Sequence, residues 1–233
     1  MDKLELVNKL MAQGRQHLQR KQLANAQQCF VKVVQSDPQN DNALYFLGLI
    51  AFQEGHVGQA ISYLNQALLI DPVNGEYLQN LANLYSRGGM LDDSIRVFER
   101  LIKQQPSDPV VYFYYACALG QNNNAADAIT AFKRSIYLNP RNFPPYNSLG
   151  ILLYERLEYQ AALAVFESAL AAGLNDKELF SQLARIYIEL GKMTEAKKTL
   201  LKALDVYPDD LSLMDRLSWI DKQFLTPALK ARL

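Results

Sequence analysis

The sequence contains few of the residues on which catalytic and metal sites usually depend. Among 233 residues there are only two histidines and two cysteines. His17 and His56 are far apart in the chain and form no visible nucleophile and base pair. Cys29 and Cys117 lack the short spacing of a metal site, and no glycine-rich phosphate loop is present. We therefore predict a non-enzymatic protein with no catalytic residues, no metal site and no cofactor.

The chain also lacks a net charge and a long hydrophobic run. Its 24 lysines and arginines are balanced by 24 aspartates and glutamates. Nucleic-acid binding needs basic stripes that meet phosphates, so this balance argues against a nucleic-acid partner.

Residues 1–13 carry charges throughout, and no segment has the apolar length of a signal peptide or a membrane span. These features predict a cytoplasmic protein without membrane insertion, and they leave its oligomeric state open.

What the sequence has in abundance is repetition with a period of 34 residues. The same slot of the pattern is occupied by Pro38, Pro72, Pro106, Pro140, Leu174 and Pro208. The repeats, numbered one to six, cover residues 7–40, 41–74, 75–108, 109–142, 143–176 and 177–210. Each has a large residue followed by a small one in its first half, as in Leu10 and Gly14, and a small residue followed by a large one in its second half, as in Ala26 and Phe30. Apolar residues spaced by three or four in both halves predict two helices per repeat.

This pattern of large, small, small, large and proline resembles the tetratricopeptide repeat family. The resemblance implies an all-α fold, a right-handed α-solenoid of six helix pairs. Residues 211–225 repeat part of the first-helix pattern and resemble the helix that caps such arrays, which leaves residues 226–233 as a C-terminal tail. We therefore expect one superhelical domain over residues 1–225. Leu174 departs from the proline slot, so the turn after the fifth pair should have a different shape.

In this family the first helices line the concave wall of the superhelix, and fixed positions of each repeat point into the groove. Carried over by register, the resemblance implies these partner-binding residues: Asn42, Tyr45, Phe46, Leu49, Phe52, Gln79, Asn80, Asn83, Phe113, Tyr114, Asn147, Ile151 and Tyr154. Aromatic patches thus flank an amide-rich strip, which suits a protein or peptide with hydrophobic anchors around a segment whose backbone needs hydrogen bonds. Alternatively, Tyr45 and Phe113 pack against neighbouring first helices.

The charges of the second repeat favour one class of partner. From Val33 to Ser86 there is no lysine or arginine, whereas five acidic residues are present: Asp37, Asp41, Glu54, Asp71 and Glu76. A negative field favours a cationic or amphipathic partner. The family's clamp for a peptide's terminal carboxylate, built from lysine, asparagine and arginine on three successive first helices, is not reproduced at the matching positions.

Two functions remain open on the sequence alone. The first is a non-catalytic scaffold or adaptor that binds a peptide or helix of another protein in its concave groove. The alternative is the N-terminal targeting or substrate-recognition arm of a larger enzyme, such as a glycosyl-, sulfo- or methyltransferase, whose catalytic domain would follow Leu233. The partner, the pathway and the organism are not readable from the residues.

Overall fold

The computed structural model describes the backbone of residues 2–230 and the side chains of residues 2–223. Over these residues the chain forms thirteen α-helices and no β-strand. In chain order the helices are Lys3–Gln19 (α1), Leu23–Ser36 (α2), Asp41–Gln53 (α3), Val57–Ile70 (α4), Gly75–Arg87 (α5), Leu91–Gln104 (α6), Pro109–Gln121 (α7), Ala125–Leu138 (α8), Phe143–Glu155 (α9), Tyr159–Ala171 (α10), Lys177–Glu189 (α11), Met193–Val206 (α12) and Leu211–Lys230 (α13). The predicted all-α repeat architecture is confirmed.

The contacts group the chain into two compact bodies. The amino-terminal body ends at Asn124, and the carboxy-terminal body begins at Ala125. Repeat four therefore contributes its first helix, α7, to one body and its second helix, α8, to the other. The expectation of one domain over residues 1–225 stays a prediction. No helix among residues 2–230 has the length and apolar character needed to cross a bilayer.

The small residues of the repeat pattern lie where two helices approach closely. A Cβ atom added to Gly48 of α3 would lie 2.6 Å from Leu64 Cδ1 of α4. A Cβ atom at Gly150 of α9 would lie 2.2 Å from Phe166 Cζ of α10. Both distances are shorter than van der Waals contact, so a methyl group at Gly150 would overlap the Phe166 ring, and one at Gly48 would require the end of the Leu64 side chain to move. In these two pairs the glycine allows close packing of the first helix on the second.

Three first helices of the amino-terminal body have side-chain caps. Asn40 Oδ1 accepts a hydrogen bond from the Ala43 amide at 3.0 Å, and Asn74 Oδ1 accepts one from the Tyr77 amide at 3.2 Å. Asp108 Oδ1 accepts one from the Val110 amide at 2.7 Å. These bonds satisfy amides that the first turn of a helix leaves without an intrahelical acceptor. They fix α3, α5 and α7 to begin at the first residue of repeats two, three and four.

The turn after α10 differs from the proline turns, as the sequence predicts. Here Gly173 has a φ of +84°, and the Leu174 amide donates to the Ala169 carbonyl at 3.1 Å. A glycine in the left-handed region ends a helix by redirecting the chain, which makes a proline unnecessary.

The last helix is longer than the sequence indicates. α13 covers Leu211–Lys230, so the cap does not end at residue 225 and most of the expected tail is helical. Residues 231–233 lie outside the described part of the chain. Leu213 and Ile220 are fully buried in a cluster with residues of α11 and α12, whereas Trp219 is 46% exposed. The buried pair anchors α13 to the sixth repeat.

Candidate functional site

A pocket of about 490 Å³ opens between the first helices α3, α5 and α7 of the amino-terminal body. We call it the groove pocket, and it is lined by Leu49, Phe52, Asn80, Asn83, Leu84, Ser86, Arg87, Phe113, Tyr114, Cys117 and Gln121. The structure thus brings together six of the predicted partner-binding residues: Leu49, Phe52, Asn80, Asn83, Phe113 and Tyr114. Four of the other lining residues also stand at positions that the family pattern assigns to the groove: Ser86, Arg87, Cys117 and Gln121. Leu84 falls between those positions, so the pattern does not indicate it.

The two side walls of the groove pocket are apolar. On α3, Leu49 and Phe52 are three residues apart and project from one helix face. On α7, the rings of Phe113 and Tyr114 have centroids 5.2 Å apart, and Tyr114 remains 38% exposed. Aromatic rings that are partly exposed beside a pocket offer a large apolar contact area at a low cost in side-chain entropy.

The floor of the groove pocket carries a polar strip along α5. Asn80, Asn83 and Arg87 are spaced by three and four residues and share one helix face. The Asn80 side chain is engaged, since its Nδ2 donates to the Tyr45 hydroxyl at 3.2 Å and to the Glu76 carbonyl at 2.9 Å. Among the described residues, the side-chain amide of Asn83 has no hydrogen-bond partner. The strip therefore keeps donors and acceptors available to a bound chain.

Tyr45 packs against a neighbouring first helix, which is the alternative that the sequence left open for it. It is 6% exposed, its ring stacks on Tyr77 at 4.7 Å, and its hydroxyl donates to Glu76 Oε1 at 2.7 Å. Reciprocally, the Tyr77 hydroxyl donates to Asp41 Oδ2 at 2.9 Å. Burial, reinforced by the carboxylate partner, raises the pKa of both tyrosines well above the usual range. The pair connects α3 to α5, and the sequence did not identify Tyr77, Asp41 and Glu76 as the partners.

Three other predicted residues lie outside the groove pocket lining. Phe46 is half-buried, stacks on Phe30 with centroids 4.9 Å apart and has the Arg15 guanidinium 5.4 Å from its ring. Gln79 is half-buried on α5, and Asn42 is exposed at the start of α3. Phe46 therefore contributes to the core of the amino-terminal body as well as to its surface.

The remaining predicted residues, Asn147, Ile151 and Tyr154, lie on α9 in the carboxy-terminal body. All three are half-buried, and Asn147 Oδ1 has no hydrogen-bond partner among the described residues. The Tyr154 hydroxyl donates to Glu189 Oε1 at 2.6 Å, and the Arg185 guanidinium lies 3.9 Å from the Tyr154 ring centroid. This ring thus has both a cation and an anion of its own chain as neighbours.

The five acidic residues between Val33 and Ser86 have internal partners. Asp41 and Glu76 accept the two tyrosine hydrogen bonds. Asp37 Oδ2 and Asp71 Oδ2 each accept a bond at 3.1 Å from the asparagine three residues later. Glu54 Oε2 lies 3.7 Å from His56 Nδ1. Attraction of a cationic partner by these acidic residues stays a prediction.

One thiol, that of Cys117, lines the groove pocket. Burial raises the pKa of the Cys117 thiol to about 11, so the thiol is protonated near neutral pH and is a poor nucleophile. Within the described residues, no group of three or more histidine, cysteine, aspartate or glutamate side chains is arranged to hold a metal ion.

Comparisons with known proteins identify the repeat. Two models described as tetratricopeptide repeat match the chain, one over residues 17–85, 51–114 and 152–218 and the other over residues 110–142. The Pseudomonas aeruginosa pilF structure superposes with a TM-score of 0.68 over 95% of this chain and 99% of that chain, at 18% identity. At this identity the likeness concerns the fold alone.

Three curated relatives are similar over most of this chain but are much longer. Protein FlbA of Caulobacter vibrioides is 23% identical over 88% of this chain and 35% of that protein. The probable UDP-N-acetylglucosamine--peptide N-acetylglucosaminyltransferase SPINDLY of Hordeum vulgare is 23% identical over 64% of this chain and 17% of that protein. The peroxisomal targeting signal receptor of Kluyveromyces lactis is 26% identical over 80% of this chain and 33% of that protein. This chain therefore spans well under half the length of these relatives. Because the repeat models cover more than half of its residues, the chain belongs to the tetratricopeptide repeat family.

Proposed function

We propose that the protein is a non-catalytic interaction scaffold that binds an extended or helical segment of a partner protein in the groove pocket. The observation that carries the proposal is the pocket itself, which opens between three consecutive first helices at residues that the repeat register assigns to partner binding. Its volume of about 490 Å³ is sufficient for one or two large apolar side chains of a segment.

The composition of the walls and floor supports an amphipathic partner. Leu49, Phe52, Phe113 and Tyr114 offer apolar contact on both sides, where a hydrophobic anchor residue would be buried. The Asn83 amide on the floor supplies a donor and an acceptor for the backbone of the same segment. One relative is named as a receptor for a targeting signal, which supports a protein segment as the ligand class.

A second candidate function is favoured by one comparison. The relative SPINDLY is named as a probable glycosyltransferase, and this chain matches only 17% of its length. In that case the groove pocket would recruit substrates to a catalytic domain elsewhere in a longer protein. The reading frame beyond the codon for Leu233 distinguishes the two functions, because the second requires that it encode a transferase domain.

The binding proposal is tested with peptides selected from a displayed random library on the purified protein. We expect Tyr114→Ala to weaken the selected peptide by about 1 to 3 kcal/mol, with helicity and melting temperature unchanged, because a partly exposed ring is an interface contact and not a core contact. Tyr137→Ala is the matched control, since Tyr137 is a 75% exposed tyrosine of α8 and does not line the groove pocket. Equal affinity losses in the two variants, or no loss at Tyr114, would refute binding at this pocket.

A further inference from the structure

Arg87 is the one cation on the three helices that form the groove pocket. The sequences of α3, α5 and α7 contain no other lysine or arginine. Its guanidinium carbon lies 5.1 Å from the centroid of the Phe52 ring, which is within the range of a cation–π contact. Among the described residues, Arg87 has no ion pair and no side-chain hydrogen bond. The acidic residue nearest to Phe52 in sequence, Glu54, lies beside His56 instead.

The carboxy-terminal body shows the same repeat positions with their charges balanced. Phe52 and Tyr154 are both the twelfth residue of a repeat, and Arg87 and Glu189 are both the thirteenth residue of the following repeat. Around Tyr154 the arginine on the ring, Arg185, is accompanied by Glu189. Around Phe52 the corresponding carboxylate is missing from the described residues, because position thirteen is the arginine itself. The groove pocket therefore has an unbalanced positive charge at its edge.

Filling the groove pocket changes the environment of that charge. An apolar side chain between Phe52 and Phe113 displaces water from the pocket that Arg87 also lines. A guanidinium that loses water without gaining a partner is destabilised, whereas a carboxylate supplied by the ligand forms a charge-assisted, bidentate pair. A segment with an acidic residue beside its apolar anchor avoids this cost.

We propose that the groove pocket selects protein segments in which an aspartate or glutamate side chain adjoins the apolar residue that fills the pocket, with Arg87 as the residue that pairs with this carboxylate. This proposal rests on the proposed binding function and specifies the chemistry of its partner. An internal side chain is the source of the carboxylate, because the lysine, asparagine and arginine set that would hold a terminal carboxylate is not reproduced on these helices. Asp41 and Glu76, at the beginnings of α3 and α5, could attract a basic residue farther along the bound segment.

The test uses a displayed peptide library with one position fixed as phenylalanine or leucine and its neighbours randomised. On the wild-type protein we expect aspartate and glutamate to be enriched beside the fixed residue. On the Arg87→Glu variant we expect lysine and arginine to be enriched at the same place, since the sign of the charge is reversed.

Replacing the acidic residue of a selected peptide by its amide should weaken binding to the wild type by about tenfold and leave binding to Arg87→Gln nearly unchanged. Arg96→Gln, which alters an exposed arginine of the second helix α6, is the matched control.

The Tyr114→Ala variant allows failure of this inference to be distinguished from failure of the proposed function. Tyr114 lines the groove pocket, so a peptide bound there should lose affinity for Tyr114→Ala but not for the control Tyr137→Ala. Selected peptides that lose affinity for Tyr114→Ala, show no acidic preference and bind Arg87→Gln and the wild type equally would overturn the inference alone. Selected peptides whose affinity is unchanged by Tyr114→Ala would overturn the binding site itself. Preference for a free terminal carboxylate over a terminal amide, without an internal acidic residue, would also contradict the proposal.

Discussion

The two bodies of the protein place an aromatic ring at the same repeat position and surround it differently. In the carboxy-terminal body, Tyr154 has both Arg185 and Glu189 as neighbours, and its hydroxyl donates to the glutamate. In the amino-terminal body, Arg87 is the charged neighbour of the Phe52 ring among the described residues. Phe52 has no hydroxyl that could donate to an anion. The same repeat positions therefore form one cluster in which the charges are balanced and one in which the positive charge has no partner in the described part of the chain. The unbalanced cluster is the one beside the groove pocket.

Phe52 lies on α3 and Tyr154 on α9, and each of these helices packs closely on its second helix at a glycine. Substitution of these glycines should have the largest effect on stability. We expect Gly150→Ala to lower the free energy of unfolding by about 1 to 3 kcal/mol, because the new methyl group would overlap the Phe166 ring. Gly48→Ala should cost less, since it meets the flexible end of Leu64. Gly58→Ala is the control: nothing lies within 4 Å of the added Cβ on α4, so stability should rise by roughly 0.5 to 1 kcal/mol. Urea denaturation followed by circular dichroism measures all three, and a stabilising Gly150→Ala would contradict the assigned helix contact.

Sequence reasoning predicted the helix pairs well because their signals are local. The starts of α3, α5, α7, α9 and α11 coincide with the first residues of repeats two to six, where capping residues and the preceding turn determine the chain direction. The end of α13 was predicted five residues too early, since residues 211–225 repeat only part of the first-helix pattern and give no signal for the end of the helix. Patterns of local spacing therefore locate the pairs better than they locate the end of the array.

The site was only partly predictable, because side-chain partners on different helices are not encoded in spacing. The register assigns Phe52, Asn83 and Tyr114 to the groove, and all three line the groove pocket; their role in partner binding stays a prediction. It did not indicate that the buried Tyr45 donates a hydrogen bond to Glu76. Such a contact depends on the distance between two helices, which the repeat period does not determine.

Titration of the tyrosines gives a second, smaller test of the charged clusters. Burial and the hydrogen bond to Glu167 raise the pKa of Tyr187 to about 12 in the carboxy-terminal body. Because the folded-state pKa lies above the unfolded value of about 10, this tyrosine contributes stability below pH 10 that is lost as the pH rises through about 12. Glu167→Gln should shift the tyrosinate absorbance transition toward lower pH, with burial retaining part of the shift. An unchanged transition would show that Glu167 does not influence Tyr187.

The smallest expected effect comes from making one cluster resemble the other. Tyr154→Phe removes the hydroxyl that donates to Glu189 and reproduces the ring found at Phe52. Because the bond is partly exposed to water, we expect the free energy of unfolding to fall by only about 0.5 kcal/mol in chemical denaturation. A loss several times larger would mean that the Tyr154 cluster supports the fold of its body and is a poor reference for the groove pocket.

Trp219 is the only tryptophan of the chain, and it lies half-exposed on α13. Its fluorescence consequently reports on the surroundings of the last helix and carries little information about the groove pocket. In a repeat protein each unit contacts only its neighbours, so α13 can detach while the earlier pairs remain folded. We therefore expect the emission of this single indole to change at a lower denaturant concentration than the helical signal, so that a stability value taken from fluorescence alone would describe α13.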